Sequence, residues 1–427
     1  MDESNRSRLT ELSYAERRAK LYDPLREEGV FTWDRLYGQE YALADLHRLE
    51  ESELEGMHAA AEALGRIYAK TVAVVQQGEA ALWAELGLPE AAFGALRLRF
   101  DESVPTLIGR FDFARTPEGW KMLEFNSDTP TGIVEAFHVN GRICAAWGER
   151  DPNEGCSRQL TEAFGRMLQT YREAGMATER IVFSALDWHE EDAGTTRYLL
   201  AQSGVREAEF APLSALRVSG DRLWVAEGPG ANESLSGPID VLYRLHALEK
   251  LAEDRDEDGY PTGEHALRLI ADRRVAIINP PSGFAAQTKA LQALIWSLHE
   301  EGRFYSPEEH EAIEAYMLPT YLEPLFPEGT PYVAKPILGR EGSGVTIYGA
   351  DGGVAECSGE AEYLDQPMVY QRLAELPELE VETLGGTYRG RLLWGCFLID
   401  GRASAVVARV GGRITGNLSY YLPSALT

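Results

Sequence analysis

The spacing of apolar residues changes along the chain and predicts the order of its elements. Between Leu54 and Val75 apolar residues recur every three or four positions, which predicts an amphipathic helix in a mostly helical first ninety residues. From Leu96 to Asn126 the period becomes two, which predicts strands. From Tyr332 to the end we expect a strand-rich region with many glycines.

The middle of the chain alternates between helical and strand patterns. The predicted helix Gln159–Glu173 is followed by a strand at Arg180–Ala185, a helix at Gly194–Ser203 and a strand at Val205–Phe210. This alternation is typical of a βαβ unit. Two more buried strands are predicted at Asp240–Leu245 and Arg274–Asn279, and a helix at Gln287–His299.

Two strand-like runs joined by a turn lie between residues 110 and 126. Because alternate side chains of a strand share a face, Arg110 and Asp112 point the same way on the first run. Glu124 and Asn126 share a face on the second run, opposite Leu123 and Phe125. The pattern predicts a hairpin with one apolar face and one face that carries three oxygen donors.

These donors are hard ligands, which Mg²⁺ takes together with substrate phosphates, and Arg110 beside them suits bidentate contact with a phosphate. The following loop, residues 127–132, offers small hydroxyls and an acid held between Pro130 and Gly132. The hairpin therefore favours a metal-nucleotide site. The alternative is an ordinary amphipathic hairpin whose polar face is in water.

A glycine-rich segment between residues 331 and 348 forms the second motif. A strand that carries Lys335 leads into a loop with Gly339, Gly342 and Gly344, and a second strand returns. The segment has neither the Walker pattern nor the dinucleotide fingerprint, so a flexible turn is the alternative to a phosphate-covering hairpin. Lys335 favours the hairpin, because an ammonium in an apolar strand is costly without a partner such as phosphate.

Composition limits the classes of partner. A formal charge of −27 argues against nucleic acid and anionic membranes and would suit a cationic substrate, although acidic surfaces usually serve solubility. With no signal-like or membrane-length apolar run, we expect a cytoplasmic protein. The four cysteines show no metal or disulfide spacing. The isolated histidines are expected on the surface or in packing roles: His138, His189, His246 and His299.

Three motifs together carry a family resemblance. Arg110-Phe-Asp-Phe, Leu123-Glu-Phe-Asn-Ser-Asp-Thr-Pro-Thr and Ala334-Lys-Pro-Ile-Leu-Gly-Arg-Glu-Gly-Ser resemble the synthetase domain of glutathionylspermidine synthases and its stand-alone relatives. The resemblance extends from Phe31 to Pro423. It implies an α/β (α+β) ATP-grasp fold, with activation of a carboxylate as an acyl phosphate by MgATP and displacement of the phosphate by an amine.

The resemblance also implies roles for individual residues. Asp112, Glu124 and Asn126 would hold two Mg²⁺ ions. Arg110 and Arg409 would contact the transferred phosphate, with Arg413 nearly as good a match as Arg409. The implied nucleotide-binding residues are Lys289, Lys335, Gly339, Arg340, Gly342, Ser343 and Gln371, and the implied substrate-binding residues are Asp128, Thr129 and Thr131.

A chain of 427 residues is expected to contain two or three domains or subdomains. We expect a helical region at 1–95, a metal-binding hairpin and loop of the ATP-grasp core at 96–150, and an α/β substrate-side subdomain of βαβ type at 151–270. Residues 271–427 are expected to form the nucleotide-binding region, in which the glycine-rich hairpin serves as a lid.

The sequence thus predicts an ATP-dependent carboxylate-amine ligase. The expected partners are a small carboxylate, with a peptide or a glutathione-like thiol as examples, and an amine, with a polyamine as example. No amidase is expected, since the amino-terminal segment has no cysteine. Two alternatives stay open, a kinase-like phosphotransferase that uses MgATP and a nucleotide-binding protein without turnover. The oligomeric state does not follow from the sequence.

Overall fold

The structure is a computed structural model that describes residues 9–227, 234–256, 258–359, 363 and 365–427. Residues 1–8 of the expected helical region therefore lie outside the described residues. Within the described ranges, no helix combines the length and the apolar character that crossing a membrane requires.

Helices and strands alternate irregularly along the chain. The helices are α1 Tyr14–Glu28, α2 Glu51–Val75, α3 Ala80–Glu85, α4 Phe93–Leu96, α5 Asn140–Trp147, α6 Ser157–Glu173, α7 Glu190–Gln202, α8 Leu248–Leu251, α9 Thr262–Ala271, α10 Pro281–Gln287, α11 Lys289–Glu301 and α12 Pro307–Tyr316. The strands of the first part are β1 Arg35–Leu36, β2 Gln39–Glu40, β3 His47–Leu49, β4 Ile108–Thr116, β5 Gly119–Asn126, β6 Ile181–Ala185, β7 Glu209–Pro212, β8 Leu216–Ser219, β9 Arg222–Glu227, β10 Ser234–Pro238 and β11 Val241–Leu245. The later strands are β12 Ala276–Ile278, β13 Thr320–Tyr321, β14 Tyr332–Pro336, β15 Thr346–Tyr348, β16 Val354–Cys357, β17 Met368–Arg372, β18 Glu378–Thr383, β19 Gly386–Ile399, β20 Arg402–Gly411, β21 Tyr420–Leu422 and β22 Ser424–Leu426.

The predicted helix between residues 54 and 75 is confirmed as the longer helix α2. It begins three residues earlier because Glu50 and Glu53 form a capping box, which satisfies free N–H groups of the first turn. Its apolar face is fully buried at Met57, Leu64 and Tyr68 and packs against β19 and β20. The region before α2 is less helical than expected, since β1 to β3 lie there.

A six-stranded antiparallel sheet contains the predicted hairpin. Its order is β21-β20-β19-β4-β5, with β18 paired to β19. In β4 and β5, Arg110 lies opposite Asn126 and Asp112 lies opposite Glu124, so the predicted polar face is confirmed. On the other face Phe111 and Phe125 stack, with ring centroids 3.9 Å apart. This aromatic pair anchors the hairpin to the core under α2.

A five-stranded antiparallel sheet contains the glycine-rich hairpin. Its order is β13-β17-β14-β15-β16. Strands β14 and β15 pair with Tyr332 opposite Tyr348, so the predicted return of the chain after the glycine loop is confirmed. The predicted strand at Met368–Arg372 is also confirmed and pairs with β14.

A four-stranded parallel sheet, β12-β11-β6-β7, confirms the βαβ unit. Strand β7 starts at Glu209 and not at the predicted Val205, because the chain leaves α7 through Gly204 at φ +72° and a turn. Strand β12 lies beyond residue 271, so the expected boundary at 271 divides this sheet.

Candidate active site

A cavity lies between the six-stranded and the five-stranded sheets. Its volume is ≈ 210 Å³. Most of the residues predicted for the site line it: Arg110, Asp112, Glu124, Asn126, Thr129, Thr131, Lys289, Lys335, Gly339, Arg340, Gly342, Gln371 and Arg409. Asp128 and Ser343 are not among the lining residues.

Two arginines contact one carboxylate at the centre of this cavity. Arg110 donates from Nε to Asp112 Oδ1 over 2.6 Å and from Nη2 to Oδ2 over 3.0 Å. Arg409 on β20 donates to the same Oδ2 over 2.7 Å. Asp112 is 1% exposed, and these two guanidinium groups are its ion-pair partners. Arg110 and Arg409 are distant in sequence, but both contact the same carboxylate, as expected for residues of one site.

Glu124 lies next to this cluster and is held by a lysine. Lys289 Nζ lies 3.2 Å from Glu124 Oε2 and donates to the Gly339 carbonyl over 2.8 Å. Asn126 donates to Glu124 Oε1 over 3.2 Å. Burial by itself raises the pKa of the Glu124 carboxyl, but the charges of Lys289, Lys335 and Arg110 and the hydrogen bond from Asn126 together keep that pKa well below its ordinary value. Glu124 is therefore a charged carboxylate.

Lys335 joins the two sheets across the cavity. Its ammonium donates to the Leu123 carbonyl over 3.1 Å and to Gln371 Oε1 over 2.7 Å. Burial lowers the pKa of Lys335 to about 8, although Glu124 opposes this shift. An ammonium with so low a pKa gains stability from an anion placed beside it, such as a phosphate group.

The residues present fit a divalent cation that is shared with phosphates. Asp112, Glu124 and Asn126 supply two carboxylates and one amide, which are the hard donors that Mg²⁺ prefers. Asn126 now points its amide nitrogen at both carboxylates, and a flip of this amide would present its oxygen instead. In the described ranges, no group of three His, Cys, Asp or Glu side chains could hold a metal. Oxygens from a bound phosphate would therefore have to complete the coordination.

The glycine loop covers part of the cavity. At Gly342 the backbone has φ +73°, and a Cβ there would lie 2.8 Å from the Thr415 carbonyl oxygen. A residue with a side chain would be strained and too close, so glycine is required for this approach. Ser343 is 2% exposed and lies outside the cavity lining, so direct contact with a nucleotide, expected from the sequence, does not fit its position.

Asp128 was expected to bind substrate, and its environment contradicts this expectation. Its carboxylate accepts two hydrogen bonds from Arg244, over 2.6 and 3.1 Å, and one from the Leu248 backbone N–H over 3.1 Å. The side chains of this ion pair are 0% and 1% exposed. Asp128 therefore fixes the loop after β5 to β11, and its oxygens do not reach the cavity.

The loop that Asp128 fixes presents the two predicted threonines to the cavity. Thr129 Oγ1 accepts a hydrogen bond from Arg340 over 2.9 Å, and Arg340 also pairs with Glu249 at 3.0 Å. The Thr131 carbonyl accepts from Arg110 over 2.6 Å. This loop thus connects the glycine hairpin to the centre of the cavity.

Two further predicted contacts differ in detail. The Gln371 side chain is 2% exposed and bonds to Lys335 and Thr320 within the protein, so it is not free for a base. Arg413 also lines the cavity, but it pairs with the exposed Glu375, whereas Arg409 contacts the central Asp112.

The sequence analysis missed an acidic part of this cavity. It is lined by Glu191 and Asp192 in the first turn of α7, together with His189 and Tyr41. His189 was expected to be an isolated surface or packing residue, but it lies 3.2 Å from Asp192, and this hydrogen bond raises the pKa of the imidazole. An acidic first turn is common in exposed helices, so nothing in the local pattern indicates that Glu191 is buried.

Residues 14–427 match the family described as glutathionylspermidine synthase preATP-grasp. The chain belongs to this family. A glutathione synthetase-like effector from Globodera pallida has a similar structure, with a TM-score of 0.59 at 12% identity over 96% of each chain. This likeness and the family match confirm the ATP-grasp-type α/β fold that the sequence predicts.

Relatives in the glutathionylspermidine synthase family carry names of ligases. A Haemophilus influenzae protein named "Putative acid--amine ligase" is 25% identical over 94% of this chain and 93% of its own length. The bifunctional glutathionylspermidine synthetase/amidase of Escherichia coli is 21% identical over 74% of this chain. The trypanothione synthetase of Crithidia fasciculata is 25% identical over 68%. The matched regions span about half of these last two relatives, 51% and 43%.

Proposed function

We propose that this protein is an ATP-dependent ligase that joins a small carboxylate to an amine and releases ADP and phosphate. The proposal is carried by one feature of the cavity. Four cationic side chains surround the carboxylates Asp112 and Glu124: Arg110, Lys289, Lys335 and Arg409. This excess of positive charge is suited to a triphosphate, and the nearby acidic residues are suited to a cation.

In the first step, a carboxylate oxygen of the acid substrate attacks the γ-phosphorus of ATP. An O–P bond forms, the bond to ADP breaks, and an acyl phosphate results. Arg110 and Arg409 would neutralise charge on the transferred phosphoryl group, because phosphoryl transfer depends on positioning and electrostatic stabilisation. Asp112, Glu124 and Asn126 would hold two Mg²⁺ ions, which when bound would neutralise charge on the β- and γ-phosphates.

In the second step, the amine nitrogen attacks the acyl carbon. A C–N bond forms, the C–O bond to phosphate breaks, and phosphate leaves. The acyl phosphate has to be protected from water until the amine arrives. The loop with Gly342 would provide this protection, since it already contacts the Thr415 backbone across the cavity.

The acidic part of the cavity supports an amine as second substrate. Glu191 and Asp192 line it, and Glu341 of the glycine loop adds a third carboxylate. An ammonium group would be attracted to these residues, and a longer polyamine would gain further contacts with them. The relatives named for glutathionylspermidine and trypanothione synthesis make glutathione and spermidine the first substrates to test.

One experiment distinguishes the proposed ligase from a phosphotransferase and from a nucleotide-binding protein without turnover. Purified protein is incubated with MgATP, glutathione and a mixture of polyamines and amino acids, and products are followed by mass spectrometry. A ligase gives ADP and a mass equal to acid plus amine minus water. A phosphotransferase gives a stable phosphorylated product without an amine. A binding protein gives neither product, although it binds ATP.

A further inference from the structure

A buried carboxylate, Glu135, lies behind the acidic part of the cavity. It is 0% exposed and begins a π-helical turn, Glu135–Val139, a distortion that is frequent at functional sites. Its Oε1 accepts hydrogen bonds from Trp33 Nε1 over 2.8 Å and from the Tyr41 hydroxyl over 3.1 Å. Its Oε2 is buried and has no hydrogen-bond partner among the described residues.

The same two aromatic residues connect Glu135 to α7 and to the cavity. A Cβ on Gly194 would lie 2.2 Å from the Trp33 ring, so α7 packs directly on this ring. Gly194 follows Glu191 by three residues, and residues with this spacing share a helix face. Tyr41 lines the cavity together with Glu191. Glu135 therefore lies behind the cavity wall that Glu191 lines, and Trp33 and Tyr41 connect the two regions.

We propose that Glu191, in the cavity wall, accepts the proton that the amine substrate loses before attack, and that Glu135, behind this wall, is a positioning residue that acts on Glu191. This inference rests on the proposed ligase function. The ammonium transfers one proton to the Glu191 carboxylate, and the neutral amine then attacks the acyl phosphate. The second proton leaves the nitrogen with the departing phosphate as hydrogen phosphate, so charge and atoms balance.

The surroundings of Glu191 fit this role. Burial raises the pKa of its carboxyl to about 8, and the largest further contribution comes from the negative charge of Glu135. Asp192 and Glu341 raise this pKa too, while the cationic His189 lowers it. A general base works best when its pKa lies near the pH of the reaction. An ordinary glutamate, with a pKa of about 4.3, would be a much weaker acceptor for an ammonium proton.

The environment of Glu135 bears on the protonation of Glu191. The pKa of Glu135 is raised above its ordinary value, because burial outweighs the hydrogen bonds from Trp33 and Tyr41 and the charge of Arg110, which lower it. Since these donors serve Oε1, they stabilise the charged form of Glu135. The two carboxylates repel each other, and a proton between them is favoured until an ammonium group enters the cavity.

The test uses Glu135→Gln, because glutamine keeps an oxygen for Trp33 and Tyr41 and removes only the charge. Carboxyl ¹³C NMR of the glutamate-labelled protein gives the titration of Glu191, whose signal is assigned by its loss in Glu191→Gln. We expect an inflection near pH 8. It should move down by about one pH unit or more in Glu135→Gln. Glu190→Gln is the matched control, since Glu190 is the exposed neighbour on the same turn and should leave the inflection unchanged.

Activity provides a second readout. With the acid and amine that condense in the mass-spectrometric assay, Glu191→Gln should lower kcat about 100-fold, the usual effect of losing a general base. The kcat/KM profile of Glu135→Gln should shift to lower pH by the same amount as the NMR inflection. Titration of Glu191 in the ordinary carboxyl range, an inflection that ignores Glu135→Gln, or full activity of Glu191→Gln would each overturn the inference. Absence of any condensed product with wild-type protein would instead count against the ligase function. The NMR titration does not require turnover, so it would still show whether Glu135 acts on Glu191.

Discussion

The ammonium of Lys289 lies 3.2 Å from a carboxylate oxygen of Glu124. This ion pair connects the start of α11 to β5, two elements separated by more than 150 residues in sequence. The Lys289 side chain is 7% exposed and that of Glu124 is 30% exposed, so each group is the other's partner in a partly buried ion pair. Phosphates and a metal ion entering the cavity would provide new partners for both. A substitution in this ion pair is therefore a direct test of the proposed chemistry.

Replacing Glu124 with glutamine should abolish turnover and leave the fold intact. The variant loses one proposed metal ligand and the charge that positions Lys289, while Asn126 and the Gly339 carbonyl keep their contacts. We expect ADP formation to fall by about 100-fold or more. The measurement is ADP release with a thermal unfolding curve. Glu118→Gln, an exposed change at the turn of the same hairpin, is the control. Unchanged ADP formation in Glu124→Gln would remove this residue from the metal site.

The affinity for ATP should fall as pH rises above about 8. The pKa of Lys335 in the ligand-free protein is about 8, so its ammonium loses its charge in this range, and a phosphate contact loses strength with it. The limit is about tenfold in Kd for each pH unit above that pKa. Titration calorimetry between pH 7 and 9.5 measures the effect. Lys335→Gln should bind more weakly at neutral pH and show no such dependence, and a flat wild-type profile would exclude Lys335 from the phosphate site.

The same pKa shift has a consequence for stability with a definite sign. An unfolded lysine has a pKa of about 10.4. Below pH 8 both states carry the proton, so the penalty for burying the ammonium of Lys335 is fully present. Between pH 8 and about 10.4 the unfolded chain binds more protons, so this penalty is relieved and stability rises with pH. Relative to Lys335→Met, the wild-type protein should therefore gain stability across this window.

The buried pair of Asp128 and Arg244 should contribute to the free energy of unfolding and should not take part directly in catalysis. Arg244→Gln leaves the Asp128 carboxylate buried without its ion pair, which should cost about 3–5 kcal/mol. In the double variant with Asp128→Asn the loss should be smaller than the sum of the single losses, because the two changes affect one interaction. Urea unfolding measures all three variants. Arg142→Gln, which breaks an exposed pair with Glu28, should leave the free energy of unfolding nearly unchanged.

The close approach of the glycine loop to the Thr415 backbone can be tested at Gly342. Gly342→Ala combines the strain of a positive φ, about 1–2 kcal/mol, with a Cβ that meets the Thr415 carbonyl. We expect a higher KM for ATP together with a lower kcat, because the loop cannot close over the acyl phosphate. Gly352→Ala is the matched control, since its φ is +75° and no atom lies within 4 Å of the added Cβ. Equal kinetics of the two variants would contradict a lid role for the loop.

Local pattern was sufficient to predict the hairpin at the centre of the site. The period of two fixes which side chains of β4 and β5 share a face, and antiparallel pairing then places Asp112 opposite Glu124. Lys335 could be identified for a similar reason, because a charge inside an apolar strand needs a partner. Arg244 carries the same signal in β11, and it would have warned that Asp128 is engaged elsewhere.

The rest depends on contacts between distant segments. Whether Asp128 faces a ligand or an arginine is decided by β11, 116 residues further along the chain. Glu191 lines the cavity together with Tyr41 of the amino-terminal region, and Trp33 packs on the same helix at Gly194. Neither relationship is encoded in the spacing around the residue itself, since periodicity describes faces of single elements and not the neighbours that those faces meet.

The central claim is that this protein forms an amide through an acyl phosphate, and oxygen transfer tests it most directly. Glutathione labelled with ¹⁸O in its carboxylates is incubated with the protein, MgATP and spermidine, and the products are weighed by mass spectrometry. The account predicts a condensed product of acid plus amine minus water, with ADP and one ¹⁸O atom in each released phosphate. Formation of the condensed product with AMP, or with phosphate that contains no ¹⁸O, would contradict it.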